Sequence, residues 1–213
     1  MKSVRLALVR VLLVAVASIA AIPVLAWENQ NLTIRGRVIY IDPADKSDAI
    51  PALSAPADAI DVQSKVAPDI DFEYALGDHW ALELLLTIPQ EHDVDLVVAG
   101  TTTPLGAVTH LPPTLTAKYY FATGTVRPYV GGGLNVTFFT SNDLVANLDV
   151  DSTSIGPALQ AGVDFKLNDR WSLSFDAKKV WISTDVKVGG VKLTTVQVDP
   201  WIIGAGVGFR FGE

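Results

Sequence analysis

The chain has 213 residues, 49% of them hydrophobic, with 16 basic and 23 acidic side chains for a net charge of −7 and no cysteine. A length of this order suits one domain. The acidic balance excludes nucleic acid as a partner, because affinity for a phosphate backbone rests on Lys and Arg, and without cysteine no disulfide can close an exported fold.

The first segment carries Lys2, Arg5 and Arg10, an apolar run from Val11 to Ala21, and Val24-Leu25-Ala26 with small residues at the −3 and −1 positions. This pattern is that of a secretory signal peptide. Residues 1–26 are therefore expected to be removed, leaving 27–213 as one barrel domain that starts at Trp27 with 13 basic and 23 acidic residues. The apolar stretch to Ala26 covers 16 residues and contains Pro23, short of the roughly 20 that a spanning helix needs. Nothing after it is long and apolar enough for a membrane helix. A membrane would then be crossed by strands, and only a closed barrel pairs every backbone N–H and C=O where water is absent.

The rest of the chain reads with a period of two, the mark of strands with two unlike faces. A first strand runs over about Leu32 to Ile41, and the second sets Val66, Pro68, Ile70, Phe72, Tyr74 and Leu76 against Asp69, Asp71 and Glu73. The third sets Trp80, Leu82, Leu84, Leu86 and Ile88 against Ala81, Glu83, Leu85 and Thr87; the fourth sets Leu111, Pro113, Leu115, Ala117, Tyr119 and Phe121 against Thr114, Thr116, Lys118 and Tyr120. In the fifth, Val130, Leu134, Val136 and Phe138 alternate with Tyr129, Asn135 and Thr137, and in the sixth Ile155, Pro157, Leu159, Ala161, Val163 and Phe165 oppose Gln160, Gly162 and Asp164. The seventh opposes Trp171, Leu173, Phe175 and Ala177 to Ser172, Ser174, Asp176 and Lys178, then loses phase near Lys178-Lys179-Val180, which predicts a bulge. The eighth opposes Trp201, Ile203, Ala205, Val207, Phe209 and Phe211 to Gly204, Gly206, Gly208 and Arg210.

Connections after strands two, four and six are tight (residues 77–79, 122–125 and 167–170), and those after the odd strands are long. The fold class expected is all-β: an eight-stranded antiparallel up-and-down transmembrane barrel, with short periplasmic turns, long extracellular loops and both termini periplasmic. Aromatic residues sit at both bilayer boundaries, with Tyr74, Trp80, Tyr119, Phe121, Phe165, Trp171, Phe209 and Phe211 by the short turns and Tyr40, Phe138, Trp181 and Trp201 by the long loops. A soluble eight-stranded barrel would turn the same pattern inside out. Gly131, Gly133, Gly156, Gly162, Gly204, Gly206 and Gly208 all fall on the polar face. A glycine-lined face suits a cramped lumen and has no use outside, which together with the aromatic belts places lipid on the apolar face. Arg35, Arg37, Asp69, Asp71, Glu73, Glu83, Lys118, Asp164, Asp176, Lys178 and Arg210 then point inward, where charges persist when they are paired.

Several stretches resemble the OmpW family of outer-membrane proteins: Ile41-Asp42-Pro43 with Asp45, Lys46 and Ser47; Trp80-Ala81-Leu82-Glu83-Leu84; and Val108-Thr109-His110-Leu111-Pro112-Pro113-Thr114-Leu115. Arg127-Pro128-Tyr129-Val130-Gly131, Gly162-Val163-Asp164, Asn168-Asp169-Arg170-Trp171, Asp199-Pro200-Trp201 and Gly206-Val207-Gly208-Phe209-Arg210-Phe211 continue the likeness. The resemblance implies an eight-stranded outer-membrane barrel, contacts with outer-membrane lipids and the barrel-assembly machinery, and a passive path for small hydrophobic solutes without a cofactor. The family ends on an aromatic residue read by that machinery, whereas Gly212 and Glu213 follow Phe211 here.

On that reading the lining candidates are Leu85 and Ile202, with Tyr120 and Tyr129 lower down. A solute stopped by the inward charges would leave sideways, where the glycines and Pro128 and Pro157 weaken strand pairing. The apolar residues Val94, Leu96, Val97, Val98 and Leu105 in the second long connection would cap a vestibule or extend the hairpin. His92 and His110, with Glu91 and Asp93 near, could meet at the outer rim, and His79 falls in a short turn; none has the spacing of a metal site, so no metal ligand is assigned. Thr109 and His110 point to opposite faces of a strand and make no nucleophile–base pair, so no catalytic residue is assigned. A loop-displaying structural or adhesive barrel is the alternative to transport, and a lipid-modifying enzyme a more distant one.

Overall fold

The computed structural model describes residues 31–211, apart from positions 45, 52, 53 and 146 and the side chains of 141 and 142. The signal-peptide segment, the Trp27 start and the Gly212-Glu213 tail lie outside the described residues. Among those described there are fifteen strands: β1 (Leu32–Asp42), β2 (Lys46–Ser47), β3 (Ile60–Val62), β4 (Lys65–Ala75), β5 (Trp80–Thr87), β6 (Gln90–Val98), β7 (Thr101–Leu111), β8 (Thr114–Tyr120), β9 (Val126–Leu144), β10 (Leu148–Val150), β11 (Thr153–Lys166), β12 (Trp171–Val180), β13 (Ser183–Val188), β14 (Val191–Gln197) and β15 (Trp201–Arg210). No helix among the described residues is long and apolar enough to cross a membrane.

Eight of these strands close a ring. β1 pairs with β4, and the order continues through β5, β8, β9, β11 and β12 to β15, which pairs back onto β1; every ladder is antiparallel. Closure leaves no strand edge in the ring, as a bilayer requires. The apolar face of each strand points outward: Leu115 is 52% exposed, Leu159 56% and Ile203 58%, while the neighbouring Glu83, Thr116 and Gln160 are buried. So large an apolar surface would be untenable in water and is favourable against lipid. Trp80, Tyr119 and Phe121 form one edge-to-face series at the short-turn end, and Trp171, Phe209 and Phe211 another.

The structure departs from the sequence reading in three ways. First, no bulge interrupts β12, whose register with β15 runs without a shift from Trp171↔Phe209 to Lys179↔Trp201. Lys178 and Val180 both face inward; what changes there is the chemistry of the lumen, from charged to apolar, and that change imitates a phase slip. Second, Pro128 and Pro157 do not open the wall, since the β9–β11 register passes through Pro128↔Val163 and Leu134↔Pro157. A proline costs a ladder only its own N–H, and its own carbonyl stays bonded, Phe121 N–H to Pro128 O and Trp181 N–H to Pro157 O.

Third, the long connections are themselves structured, the second of them as the extended hairpin that its apolar residues suggest and the others beyond what the alternation shows. Ile88-Pro89 and Pro112-Pro113 break the third and fourth barrel strands, and beyond the breaks β6 and β7 continue as a hairpin that pairs with the far end of β9. Ala99 and Gly100 close that hairpin with φ of 49° and 78°, the positive pair that a two-residue turn matched to strand twist requires. β3 adds to β6, while β10, β13, β14 and β2 form a second sheet over the same end. The glycines act as expected of a tight lumen: a Cβ on Gly162 would stand 2.6 Å from the Tyr129 hydroxyl, and one on Gly206 2.5 Å from Arg37 Cγ.

If the outward face lies in lipid, an arginine there near the bilayer midplane should cost roughly 2–4 kcal/mol. Urea titration in bilayers should show that loss for Leu84→Arg and Leu115→Arg. Unchanged stability in both would mean the faces are assigned the wrong way round.

Candidate functional site in the barrel interior

The inward residues change character with depth, so the lumen is layered. Nearest the short turns, Ala81, Tyr120 and Tyr129 pack together. Next comes a layer of four cations and six carboxylates. Arg35 meets Asp71 at 2.8 Å, Glu73 at 2.6 Å and Asp164 at 3.2 Å; Arg37 meets Asp69 at 2.9 Å and Asp176 at 2.7 Å. Lys118 reaches Glu73 at 2.7 Å and Glu83 at 3.1 Å, and Lys178 reaches Glu83 at 2.8 Å. The Tyr120 hydroxyl oxygen stands 2.7 Å from a carboxylate oxygen of Glu73 and 2.7 Å from one of Asp164, with one proton to donate between them, and Lys118 Nζ sits 3.7 Å over the Tyr129 ring. Register explains the pairing, because Arg35↔Asp71 and Arg37↔Asp69 are direct cross-strand partners.

Toward the long-loop end the charges stop. On the side of β1, β4, β11, β12 and β15 the next inward residues are Ile39, Ile41, Ala67, Ala158, Val180 and Ile202, one apolar cluster that also takes in Ile182 and packs against Phe139 and Val198. On β8 and β9 the inward wall is polar but uncharged, where Asn135 donates to Thr114 Oγ1 at 2.9 Å and Thr137 to Asn135 at 2.7 Å, and Gln160 of β11, in register with Lys178, donates to Thr116 Oγ1 at 2.8 Å. Above both lies a second apolar cluster of Ile50, Ala55, Ala59, Ile60 and Val196, against which Val94, Leu96, Val98, Leu105 and Val186 pack. Between the clusters is a cavity of about 60 Å³ lined by Val62, Val94, Val108, Phe139 and Val198 among others.

The sequence-predicted residues distribute over these layers. Ile202 belongs to the apolar layer. Leu85 is buried one inward position beyond Glu83, opposite Asp71 and Thr114. Tyr120 and Tyr129 lie on the short-turn side and are tied to the charged layer, away from the cavity. Ten of the eleven inward charges are joined in the ion-paired layer; Arg210 instead lines the short-turn mouth, partly exposed, together with Arg127 and Arg170. Ile50, Ala59, Ile60 and Val196, which close the vestibule, were hidden because their strands are three residues long or fall in a connection with no alternation.

His92 and His110 do meet, on the β6–β7 hairpin at the long-loop rim, with rings stacked at 5.0 Å between centroids and His110 in register with Phe139. Burial lowers the His92 pKa, and burial followed by the charge of His92 pushes His110 down to about 3. Both rings are therefore neutral at pH 7. A histidine held neutral by the fold contributes stability that is complete above its unfolded pKa of about 6.5 and is lost as pH falls toward the folded value. Wild type should lose about 1–3 kcal/mol of stability between pH 7 and pH 4 from this source, the full shift being the upper bound, and His110→Phe should lose less. Equal acid losses in the two proteins, read from urea midpoints in bilayers, would contradict the assignment.

Comparison with known proteins agrees with the architecture. The sequence model described as "OmpW family" matches residues 28–211. Outer membrane protein W of Vibrio cholerae is 30% identical over 214 residues, covering 93% of this chain and 97% of that protein. The dibenzothiophene metabolism operon protein PahQ of Pseudomonas aeruginosa is 33% identical over 164 residues, covering 73% and 76%. The crystal structure of the outer membrane protein OprG from Pseudomonas aeruginosa superposes with a TM-score of 0.73 at 29% identity, covering 86% of this chain and 96% of that one. By the extent of these matches and by its closed eight-stranded ring, the chain belongs to the OmpW family and is a β-barrel of the outer membrane.

Proposed function

We propose that the barrel gives small hydrophobic molecules a passive path across the outer membrane, entered from the long-loop end, which faces outside. The observation that carries this reading is the continuity of apolar surface: the vestibule cavity shares Phe139 and Val198 with the apolar layer of Ile39, Val180 and Ile202 beneath it. Charged sugars at the cell surface obstruct an apolar solute, and an apolar passage lowers that barrier without an energy source. The relative named for a dibenzothiophene metabolism operon supports the same class of solute.

The ion-paired layer stands across the way to the short turns, so the exit in this proposal is sideways. A groove of about 470 Å³ lies on the outer face over Gly204, and its lining combines the outward Val38, Tyr40 and Ile203 with the inward Ile39 and Asp176. At Gly204 the wall is a bare backbone thick. In this proposal a solute resting on Ile39 leaves past Gly204, where a Cβ would stand 3.2 Å from Ile39 Cγ2 and 2.7 Å from Asp176 Oδ1.

Uptake of hexane and of glucose by cells with and without the protein tests this. Hexane uptake should rise several-fold with wild type and return to background with Ile202→Lys, provided the variant still shows the faster gel migration of a folded barrel, while glucose uptake stays unchanged. If neither solute responds to the protein, the conduit is wrong and a structural or adhesive barrel is the better account.

A further inference from the structure

The vestibule cavity is apolar apart from His92, His110 and Thr184, and two of these three present a buried polar atom with no hydrogen-bond partner among the described residues. His92 and Thr184 line it, each more than nine-tenths buried, and His92 Nε2 and Thr184 Oγ1 have no hydrogen-bond partner among the described residues. The other ring nitrogen of His92 is committed, with Nδ1 2.8 Å from the carbonyl oxygen of Gln63. A carbonyl oxygen only accepts, so Nδ1 carries the proton and, in a neutral ring, Nε2 is a bare acceptor. The stacked ring of His110 fixes the plane in which that lone pair points.

From this geometry we infer that the vestibule selects solutes with a small apolar body and one hydrogen-bond donor, an alcohol or a phenol, whose hydroxyl donates to His92 Nε2. The inference rests on the conduit reading and narrows it. A buried acceptor left unmade is costly whereas a made bond is favourable, so a hydroxyl gains on entering while an alkane leaves the nitrogen stranded. A ketone or ether of the same size offers only an acceptor, which Thr184 can satisfy and His92 cannot. The cavity of about 60 Å³ has room for roughly four to six heavy atoms, taking ~10–15 Å³ for each water-sized site. A five-carbon chain with a hydroxyl fits that size.

The test uses the full-length barrel in lipid nanodiscs with ¹⁵N-labelled histidine, and 1-pentanol, 2-pentanone and hexane as probes of equal heavy-atom count. Pentanol should move the His92 Nε2 resonance toward the hydrogen-bonded range, and neither of the other probes should. Its affinity should exceed that of pentanone by about fivefold, the ratio expected of one neutral hydrogen bond. His92→Asn keeps a side-chain donor for Gln63, removes the Nε2 acceptor, and should bring the two affinities to parity. Equal binding of pentanol and pentanone to wild type, or an unmoved Nε2 resonance at saturating pentanol, overturns the inference whether or not the variant folds. Hexane uptake by wild-type cells reports separately on the conduit, so donor selection can fail while the conduit stands, and failure of hexane uptake is distinguishable from failure of donor selection.

Discussion

Glu83 is fully buried and takes Lys118 on one side and Lys178 on the other, at 3.1 and 2.8 Å, with Arg35 also within 3.5 Å. Around this carboxylate the ion-paired layer ties β1, β4, β5, β8, β11 and β12 across the lumen. Burying so many charges is unfavourable unless each is paired, and here every one has an opposite charge within reach. The consequence is asymmetric. Replacing the layer by packed apolar residues could be neutral, but removing one member strands its partners and costs about 3–5 kcal/mol. The layer therefore holds the ring in one register, and it decides what the lumen can admit, since nothing apolar is favoured next to it.

Above the layer the interior has the opposite character. The apolar residues of β1, β12 and β15 continue the alternation of their strands without a break, and the β6–β7 hairpin extends the wall past the bilayer. The two breaks at Ile88-Pro89 and Pro112-Pro113 separate the hairpin from β5 and β8, and the second sheet of β2, β10, β13 and β14 covers the same end. Together they build a covered vestibule over the apolar half of the lumen. The paired histidines and the two unpartnered polar atoms of that vestibule are the features that a purely greasy passage would not need.

Alternation made the barrel legible in the sequence. Strand count, tight turns, outward faces and the inward side of the ten charged residues of the layer follow from a period of two together with the positions of the glycines. Alternation says which face a residue takes and nothing about which neighbours it meets at a given depth. Hence Tyr120 and Tyr129, read with Leu85 and Ile202 as one lining, fall on the far side of the charges. The same limit explains Lys178 to Val180, where hydrophobicity changed while facing did not. The vestibule was least visible, because Ile60 and Val196 come together from connections 136 residues apart in the chain, and only the unusual apolar content of the second long connection hinted at it.

The central claim is that a hydrophobic solute enters the half of the lumen on the long-loop side of the charged layer and goes no further along the axis. Methyl-labelled protein in nanodiscs, saturated with hexane, tests it directly through magnetisation transfer between solute and protein. The account predicts transfer to Val108, Val180 and Ile202 and none to Ala81, which is buried on the other side of the charges. Transfer to Ala81 of the same strength as to Ile202 would show that the layer is no barrier and would contradict the account.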